Sequence, residues 1–396
     1  MAEPPQALTS EELARYSRQL ILPGMGRAGQ EKLRGARVLV VGLGGLGSPA
    51  ALYLAAAGVG TLGLAEPDRV ELSNLHRQIL HDTPGLGMMK LASARERLAR
   101  LNPHTRLREH PEGLTAGNAR ELFSDYDAVL DGADNFPTRY LANDAAVQAE
   151  KPLVHGSIFQ YEGQMTVLDP ARGGPCYRCL FPEMPAPGTV PNCAEAGVFG
   201  ALCGVIGSLM AMEALKLILG EGEPLRGRLL VFDARSAAPR VVRVKRDPRC
   251  PCCGARPDSR IAALDPGLYA QVCETAPPSA TMTASFDDQN LPMEIDVPTA
   301  HAWLETAVPP ALLDVREPFE VAICRIPGSL TIPLAELPAR LGELPRDLPI
   351  VVHCHHGGRS LQAAKFLRAK GFLRSTSMRG GIAGWAEEFD ATMARY

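Results

Sequence analysis

Arg37-Val-Leu-Val-Val-Gly-Leu-Gly-Gly-Leu-Gly47 is the stretch on which the fold of the first two-thirds of the chain turns. Its β-branched and aliphatic run predicts a buried strand, and Gly42, Gly44, Gly45 and Gly47 then carry the backbone into a helix beginning near Ser48. Glycines at this spacing let main-chain N–H groups approach a polyphosphate, and the positive end of the following helix favours its charge. Most such turns hold a dinucleotide for hydride transfer and some merely close a tight strand-to-helix connection, so its surroundings must decide the chemistry.

Those surroundings belong to an ordinary globular chain. Its 396 residues suffice for two or three domains, and a formal charge of -3 with 46% hydrophobic residues gives no basic excess for a nucleic acid. The Met-Ala-Glu-Pro-Pro start lacks the basic and apolar regions of a secretory signal. The longest uncharged stretch, Ala196 to Met212, is broken by glycines and reads as a buried helix rather than a membrane span. The 10 cysteines, several of them paired as C-x-x-C, point to metal and thiol chemistry in a reducing cytoplasm.

Outward from the glycine turn, Thr9-Ser-Glu-Glu12 reads as a capping box opening a helix that carries Arg15, Arg18 and Gln19. Thr61-Leu-Gly-Leu-Ala65 predicts a second strand. Glu66 follows it, about twenty residues after the glycines, a distance that suits a bond to ribose hydroxyls. Asp68, Asn74, Arg77 and Gln78 are dense in anion donors and acceptors, and Lys90 adds a cation. A third strand, Ala128 to Asp131, ends in Gly-Ala-Asp134-Asn135. Ligands of open α/β sheets bind beyond the carboxyl ends of the strands, so Asp131, Asp134 and Asn135 are expected in the same crevice as the glycines. Acids beside Arg77 and Lys90 suit ATP with Mg2+ better than a nicotinamide dinucleotide, which needs no metal.

Gly42 to Gly47, Leu72-Ser-Asn-Leu-His-Arg-Gln78, Asp131-Gly-Ala-Asp-Asn135 and the paired cysteines together resemble the ubiquitin-activating-type adenylyltransferases of sulfur-carrier pathways, specifically the molybdopterin-synthase adenylyltransferase and sulfurylase group. The resemblance covers about residues 10 to 254 and implies a Rossmann-like, ATP-binding α/β domain. It further implies that the C-terminal Gly-Gly carboxylate of a small β-grasp carrier protein attacks the α-phosphate of ATP. By the same likeness Arg18 reaches across a homodimer to the triphosphate, Asn74, Arg77 and Lys90 contact phosphates, and Asp134 governs Mg2+. Glu66 departs from the family, which usually has Asp for the ribose.

Cys176-Tyr-Arg-Cys179 and Cys250-Pro-Cys-Cys253 each place two thiolates at the spacing of a tetrahedral metal, predicting a structural Zn2+ site with Cys252 as a spare. Cys193 follows a Pro- and Gly-rich loop and opens a predicted helix, where the dipole lowers a thiol pKa; in the resembling family the matching cysteine accepts an acyl group in some members. Cys203 reads as core. Residues 255–290 read as a linker, partly disordered, in which Cys273 has no evident partner.

From about residue 291 order resumes. Pro310 to Arg316 and Leu348 to His353 predict strands, and Ser360 to Lys370 a helix. Cys354-His-His-Gly-Gly-Arg359-Ser360 lies between the last two, and its glycines allow N–H groups to curl into an anion nest that steadies a thiolate or a persulfide, with Arg359 adding positive field. Together with Leu313-Asp-Val-Arg316, Ile326-Pro-Gly-Ser and Gly380 to Trp385, this resembles a smaller α/β rhodanese domain over about residues 291–396. Where rhodaneses commonly have Gly-His before Ile-Pro-Gly, this chain has Cys324-Arg325, and Cys324 reads as packing.

The expectation is therefore an adenylyltransferase domain (1–254), a linker (255–290) and a sulfurtransferase domain (291–396) that together convert a carrier carboxylate into a thiocarboxylate. Cys354 would be loaded by a persulfide donor such as a cysteine desulfurase, and Cys193 would receive the acyl group or resolve an acyl disulfide. The alternatives are a nicotinamide-dependent oxidoreductase and a non-catalytic carrier-binding scaffold.

Overall fold

A computed structural model describes residues 7–185, 197–256, 261, 263–269 and 291–395. Cys193 and Cys273 fall outside the described residues. The chain divides into two compact units, Met1–Cys273 and Glu274–Tyr396.

The first unit is built on an eight-stranded sheet of order β3-β2-β1-β4-β5-β6-β7-β8. The strands are β1 (Arg37–Val41), β2 (Thr61–Ala65), β3 (Arg106–His110), β4 (Ala128–Asp131), β5 (Leu153–Phe159), β6 (Glu162–Leu168), β7 (Arg228–Asp233) and β8 (Ala238–Arg243). Strands β1 to β5 run parallel, and β6, β7 and β8 add on antiparallel. Alternation along β1 sends Val38 and Val40 to one apolar layer and Leu39 and Val41 to the other. The first layer is completed by the helices Gly47–Ala56 and Gly200–Leu219, the second by Ala119–Ser124 and Phe136–Gln148. Burial on both faces is why these strands read as unbroken aliphatic runs.

The order reverses between β1 and β4, and the crevice that reversal opens at the carboxyl ends of the strands is where an open α/β sheet takes its ligand. The expected third strand, Ala128–Asp131, is in fact the fourth, because β3 intervenes. Its residues, Arg-Leu-Arg-Glu-His, are mostly exposed at the sheet edge and carry no apolar alternation that would announce a strand. The helix Gly200–Leu219 is long and apolar enough to cross a membrane by length and composition alone. Leu202, Ile206, Met210 and Ala214 are nonetheless buried in the first layer.

The first unit also continues past residue 254. Pro266–Leu268 forms a 3-10 turn, Leu264 and Tyr269 pack on the second apolar layer, and the Tyr269 hydroxyl donates to Asp144 Oδ2 at 2.9 Å. The start of the expected linker is thus tied down by Tyr269 and Leu264, and by Ile261, whose carbonyl accepts from Gln148 Nε2 at 3.2 Å.

The second unit holds a five-stranded parallel sheet of order β11-β10-β12-β13-β9. Its strands are β9 (Glu294–Ile295), β10 (Ala311–Asp314), β11 (Leu330–Thr331), β12 (Ile350–His353) and β13 (Ser375–Met378). Every residue of β12 is buried, and Cys354 follows directly at its carboxyl end.

Candidate active sites and a thiol cluster

The four parallel strands around the reversal each deliver a turn to one cleft of about 1020 Å³. Gly42, Gly44 and Gly45 come after β1, Glu66 and Asp68 after β2, Glu112 and Gly113 after β3, and Asp134 and Asn135 after β4. Arg77, Gln78, Lys90 and Arg139 complete its polar wall.

The glycine turn is as tight as its sequence implies. Gly42 sits at φ +82°, and a Cβ on Gly47 would lie 1.8 Å from Gly42 O, an impossible contact. A Gly47→Ala chain is therefore expected to fold with this turn displaced and to lose ATP binding by at least about tenfold, as read by calorimetric titration. Gly47 itself lies beneath the turn and does not line the cleft.

Glu66 is buried, and both its oxygens are engaged: Leu43 N donates to Oε2 at 2.8 Å and Asp68 N to Oε1 at 3.0 Å. It thus braces the glycine turn as well as lining the cleft. Burial pushes its carboxyl above the ordinary range, opposed by the charge of Lys90 and by these two N–H groups. Lys90 Nζ, itself buried, stands 3.7 Å from Glu66 Oε2 and 3.1 Å from Asp68 Oδ2.

Asn74 is buried behind the wall, where its Oδ1 accepts from Arg77 Nη2 at 3.2 Å and Gln78 Nε2 at 3.0 Å. It positions both side chains rather than lining the cleft. Gln78 Oε1 is a buried acceptor with no hydrogen-bond partner among the described residues. Asn135 caps the helix Phe136–Gln148 by accepting from Thr138 N at 2.9 Å, and exposed Asp134 is left at the cleft mouth. Arg18 is exposed and is not among the lining residues.

Asp131 does not face the crevice as expected. It is fully buried; its Oδ1 accepts from Ala133 N, and His155 Nδ1 lies 2.7 Å from its Oδ2. Arg139, Glu112 and Gly113 are cleft residues that sequence reasoning missed. Arg139 sits four residues after Asn135, one helical turn on, a spacing that could have flagged it.

Cys176, Cys179, Cys250 and Cys253 present four sulfur atoms within 4.8 Å of one another. The separations 3.9, 3.4 and 3.4 Å are close to the roughly 3.8 Å edge of a sulfur tetrahedron around a metal at about 2.3 Å. The cluster is braced by Asn143, whose Oδ1 accepts from Tyr177 N at 2.6 Å, and by Asp144, which accepts from Arg178 and Tyr269. Cys252 is buried outside the quartet, with Asn143 Nδ2 3.6 Å from its sulfur. Cys203 is buried in the core and also meets the cleft, its sulfur 2.8 Å from where a Cβ on Gly45 would stand.

In the second unit Cys354 is buried, Gly357 N donates to its sulfur at 3.1 Å, and Ser360 Oγ lies 3.6 Å away. The helix Gly358–Ala369 starts immediately after, so its N-terminus adds to the field at the thiol. Loop carbonyls are turned outward: Cys354 O accepts from Ile382 N and His355 O from Ala383 N. Arg359 is not free to lend its charge to the thiol as expected, because Glu320 holds it at 2.6 and 2.7 Å. Cys324 is half-buried and packs on the apolar cluster around Trp303 and Ile326, with Arg316 Nη1 3.9 Å from its sulfur.

Comparison with known proteins agrees with this division. The ThiF family profile matches residues 16–252, and that of the rhodanese-like domain matches residues 297–388. The chain is 44% identical over 401 residues to the probable adenylyltransferase/sulfurtransferase MoeZ of Mycobacterium tuberculosis, covering 100% of this chain and 98% of that one. It is 43% identical to the adenylyltransferase and sulfurtransferase MOCS3 of Drosophila sechellia over 98% of this chain and 86% of the other. To the sulfur carrier protein adenylyltransferase of Thermus thermophilus it is 56% identical, over 64% of this chain and 94% of that one. Among solved structures, E. coli MccB with ATP aligns at a TM-score of 0.51 and 19% identity, covering 62% of this chain and 82% of that one; this likeness bears on the fold alone.

Proposed function

The chain belongs to the ThiF family and ends in a rhodanese-like domain, and from that premise we propose that it adenylates and then thiolates the C-terminus of a small carrier protein. It is an adenylyltransferase and sulfurtransferase that uses ATP. The observation that carries the reading is the union, in one chain, of a cation-walled nucleotide cleft and a thiol held by a loop N–H at a strand end.

Two anions must meet in the cleft, so the work of the protein is positioning and charge neutralisation. Arg77 and Lys90 face the phosphates, the glycine-turn N–H groups cradle them, and Arg18 supplies a further cation from the partner in a homodimer. A carrier carboxylate oxygen attacks the α-phosphorus, pyrophosphate departs, and an acyl-adenylate remains. Asp134 would hold Mg2+, which would supply charge to neutralise the triphosphate. The cysteine quartet would hold Zn2+ as a closed structural site.

Cys354, loaded as a persulfide by a donor such as a cysteine desulfurase, directs its outer sulfur to the activated carbonyl, and AMP leaves. The Cys193 thiolate attacks the Cys354 sulfur of the resulting acyl disulfide, the thiocarboxylate leaves with the electron pair, and the Cys193–Cys354 disulfide so formed is reduced by an external dithiol. The setting is the cytoplasm, where thiols stay reduced.

Weighing the products formed with candidate carriers ending in Gly-Gly tests the whole scheme. An added AMP without sulfur, and an oxygen-to-sulfur exchange once a persulfide donor is supplied, are the expected masses. No pyrophosphate with any such carrier would sink it. The metal assignment has its own measurement: one zinc per chain by mass spectrometry, lost in Cys179→Ser. Leaving three thiolates unsatisfied should cost about 3 kcal/mol or more, lowering the melting midpoint of the first unit by roughly 6–12 °C.

A further inference from the structure

The Cys354 loop carries one guanidinium at its helix end, and the fold spends that charge before a substrate arrives. Arg359 Nη1 donates to Glu320 Oε2 at 2.6 Å and Nη2 to Oε1 at 2.7 Å, a two-point pair between side chains only 20% and 5% exposed. Glu320 is itself fixed, since Glu317 N donates to its Oε2 at 2.9 Å in a capping box on the short helix Pro318–Val321. Parallel bonds of this kind are both strong and directional. Two neighbouring groups, Arg316 and His355, add no available charge. Arg316 is fully buried against Asp314, with Nε 2.9 Å from Oδ1. His355, pushed down to about 4 chiefly by burial and then by His356, is neutral at physiological pH. Arg379 is exposed; its main-chain N–H donates to Ile295 O, and its side-chain charge lowers the carboxyl of Asp296.

What remains at the thiol is dipolar: the Gly357 N–H on the sulfur and the N-terminus of the helix Gly358–Ala369. Such a field stabilises one thiolate, or the persulfide made from it. A second, doubly charged oxyanion entering the same space would find the loop's own guanidinium already paired. Phe319 and Ile323, exposed on either side of Glu320 in sequence, add apolar rather than charged surface there.

We propose that Glu320 is a positioning and specificity residue: by holding Arg359 at two points it makes the Cys354 loop accept sulfur from an alkyl hydropersulfide, R–S–SH, and discriminate against the thiosulfate dianion. This rests on the reading of Cys354 as the sulfur-accepting thiol. In the favoured step the Cys354 thiolate attacks the terminal sulfur of R–S–SH. The inner S–S bond breaks, R–S⁻ leaves with the electron pair, and the proton stays on the transferred sulfur of Cys354–S–SH. With thiosulfate the same attack must expel sulfite, whose charge the loop does not neutralise.

The test uses the full chain, with cyanide as final sulfur acceptor and either glutathione persulfide or thiosulfate as donor. The unaltered protein should show a KM for thiosulfate at least about tenfold above that for the persulfide. In Glu320→Gln, which removes the carboxylate charge from Arg359, the ratio of the two KM values should fall at least about tenfold, with inorganic phosphate becoming a competitive inhibitor. Glu320→Asp, which keeps the charge, should stay near the original ratio. A Glu320→Gln chain that melts normally yet keeps the original ratio, or loses kcat equally for both donors, overturns the proposal. A measurement on the unaltered chain needs no variant: millimolar phosphate should not slow alkylation of Cys354, and protection by phosphate overturns the proposal. If neither donor places sulfur on Cys354 by peptide mass analysis, the parent reading falls and this one with it, an outcome distinct from loading without discrimination.

Discussion

A Cys354→Ser chain will exchange pyrophosphate with ATP in the presence of carrier as fast as the unaltered protein, and will form no thiocarboxylate. The serine hydroxyl keeps the volume and can still accept from Gly357 N, so the buried loop retains its hydrogen bonds. Its alkoxide lies far outside the physiological range, and oxygen cannot carry the sulfane atom. Loss of sulfur transfer should thus be complete within detection, whereas the adenylation cleft belongs to a separate unit and keeps all its residues. Mass analysis of the carrier, run beside the exchange assay, reads both halves at once. Loss of exchange as well would contradict the division of labour, and surviving thiocarboxylate would remove Cys354 from the reaction.

Lys90→Met should do the converse. Lys90 Nζ lies buried between Glu66 and Asp68, and its position at the start of the helix Lys90–Leu101 directs it into the cleft. Methionine fills the same space without charge, so two effects add. Removing a preorganised cation from a site where charge is neutralised lowers the chemical step by about 10²–10³-fold. It also leaves the buried Glu66 carboxylate without its cation, which costs up to about 3–5 kcal/mol. Asp68 is mostly exposed and loses little. Pyrophosphate exchange should fall to the edge of detection while persulfide formation on Cys354 persists. Pairing the change with Glu66→Gln should recover stability without recovering exchange, separating the two effects. Exchange within threefold of the unaltered rate in Lys90→Met would remove the lysine from catalysis.

The parts of these sites that could be read from sequence are those where chemistry demands fixed residue types at short spacing. Four glycines in a strand-to-helix turn, two C-x-x-C pairs and a cysteine followed by glycines each carry their geometry within a few residues. What could not be read depends on pairs brought together across the sheet. Asp131 turns away from the crevice because His155 stands beside it on the adjacent strand, 24 residues later. Arg359 loses its free charge to Glu320, 39 residues earlier. Strand β3 was hidden because an exposed edge strand needs no apolar pattern, and with it went Glu112 and Gly113. Ile261, Leu264 and Tyr269 tie residues beyond 254 to the first unit, and a few scattered apolar residues in a Pro-rich stretch are no signal. The Cys193 step falls outside the described residues and stands as a proposal.

The cysteine quartet joins positions 74 residues apart, and the twenty-residue apolar helix Gly200–Leu219 lies inside the span it closes. During synthesis the second C-x-x-C pair emerges only after that helix has left the ribosome. By then the helix can already pack on the strands and the helix Gly47–Ala56 that precede it in the chain, so the quartet closes around a seated element. On the proposed zinc assignment, metal would close the cluster late, after every element between its two cysteine pairs has been made.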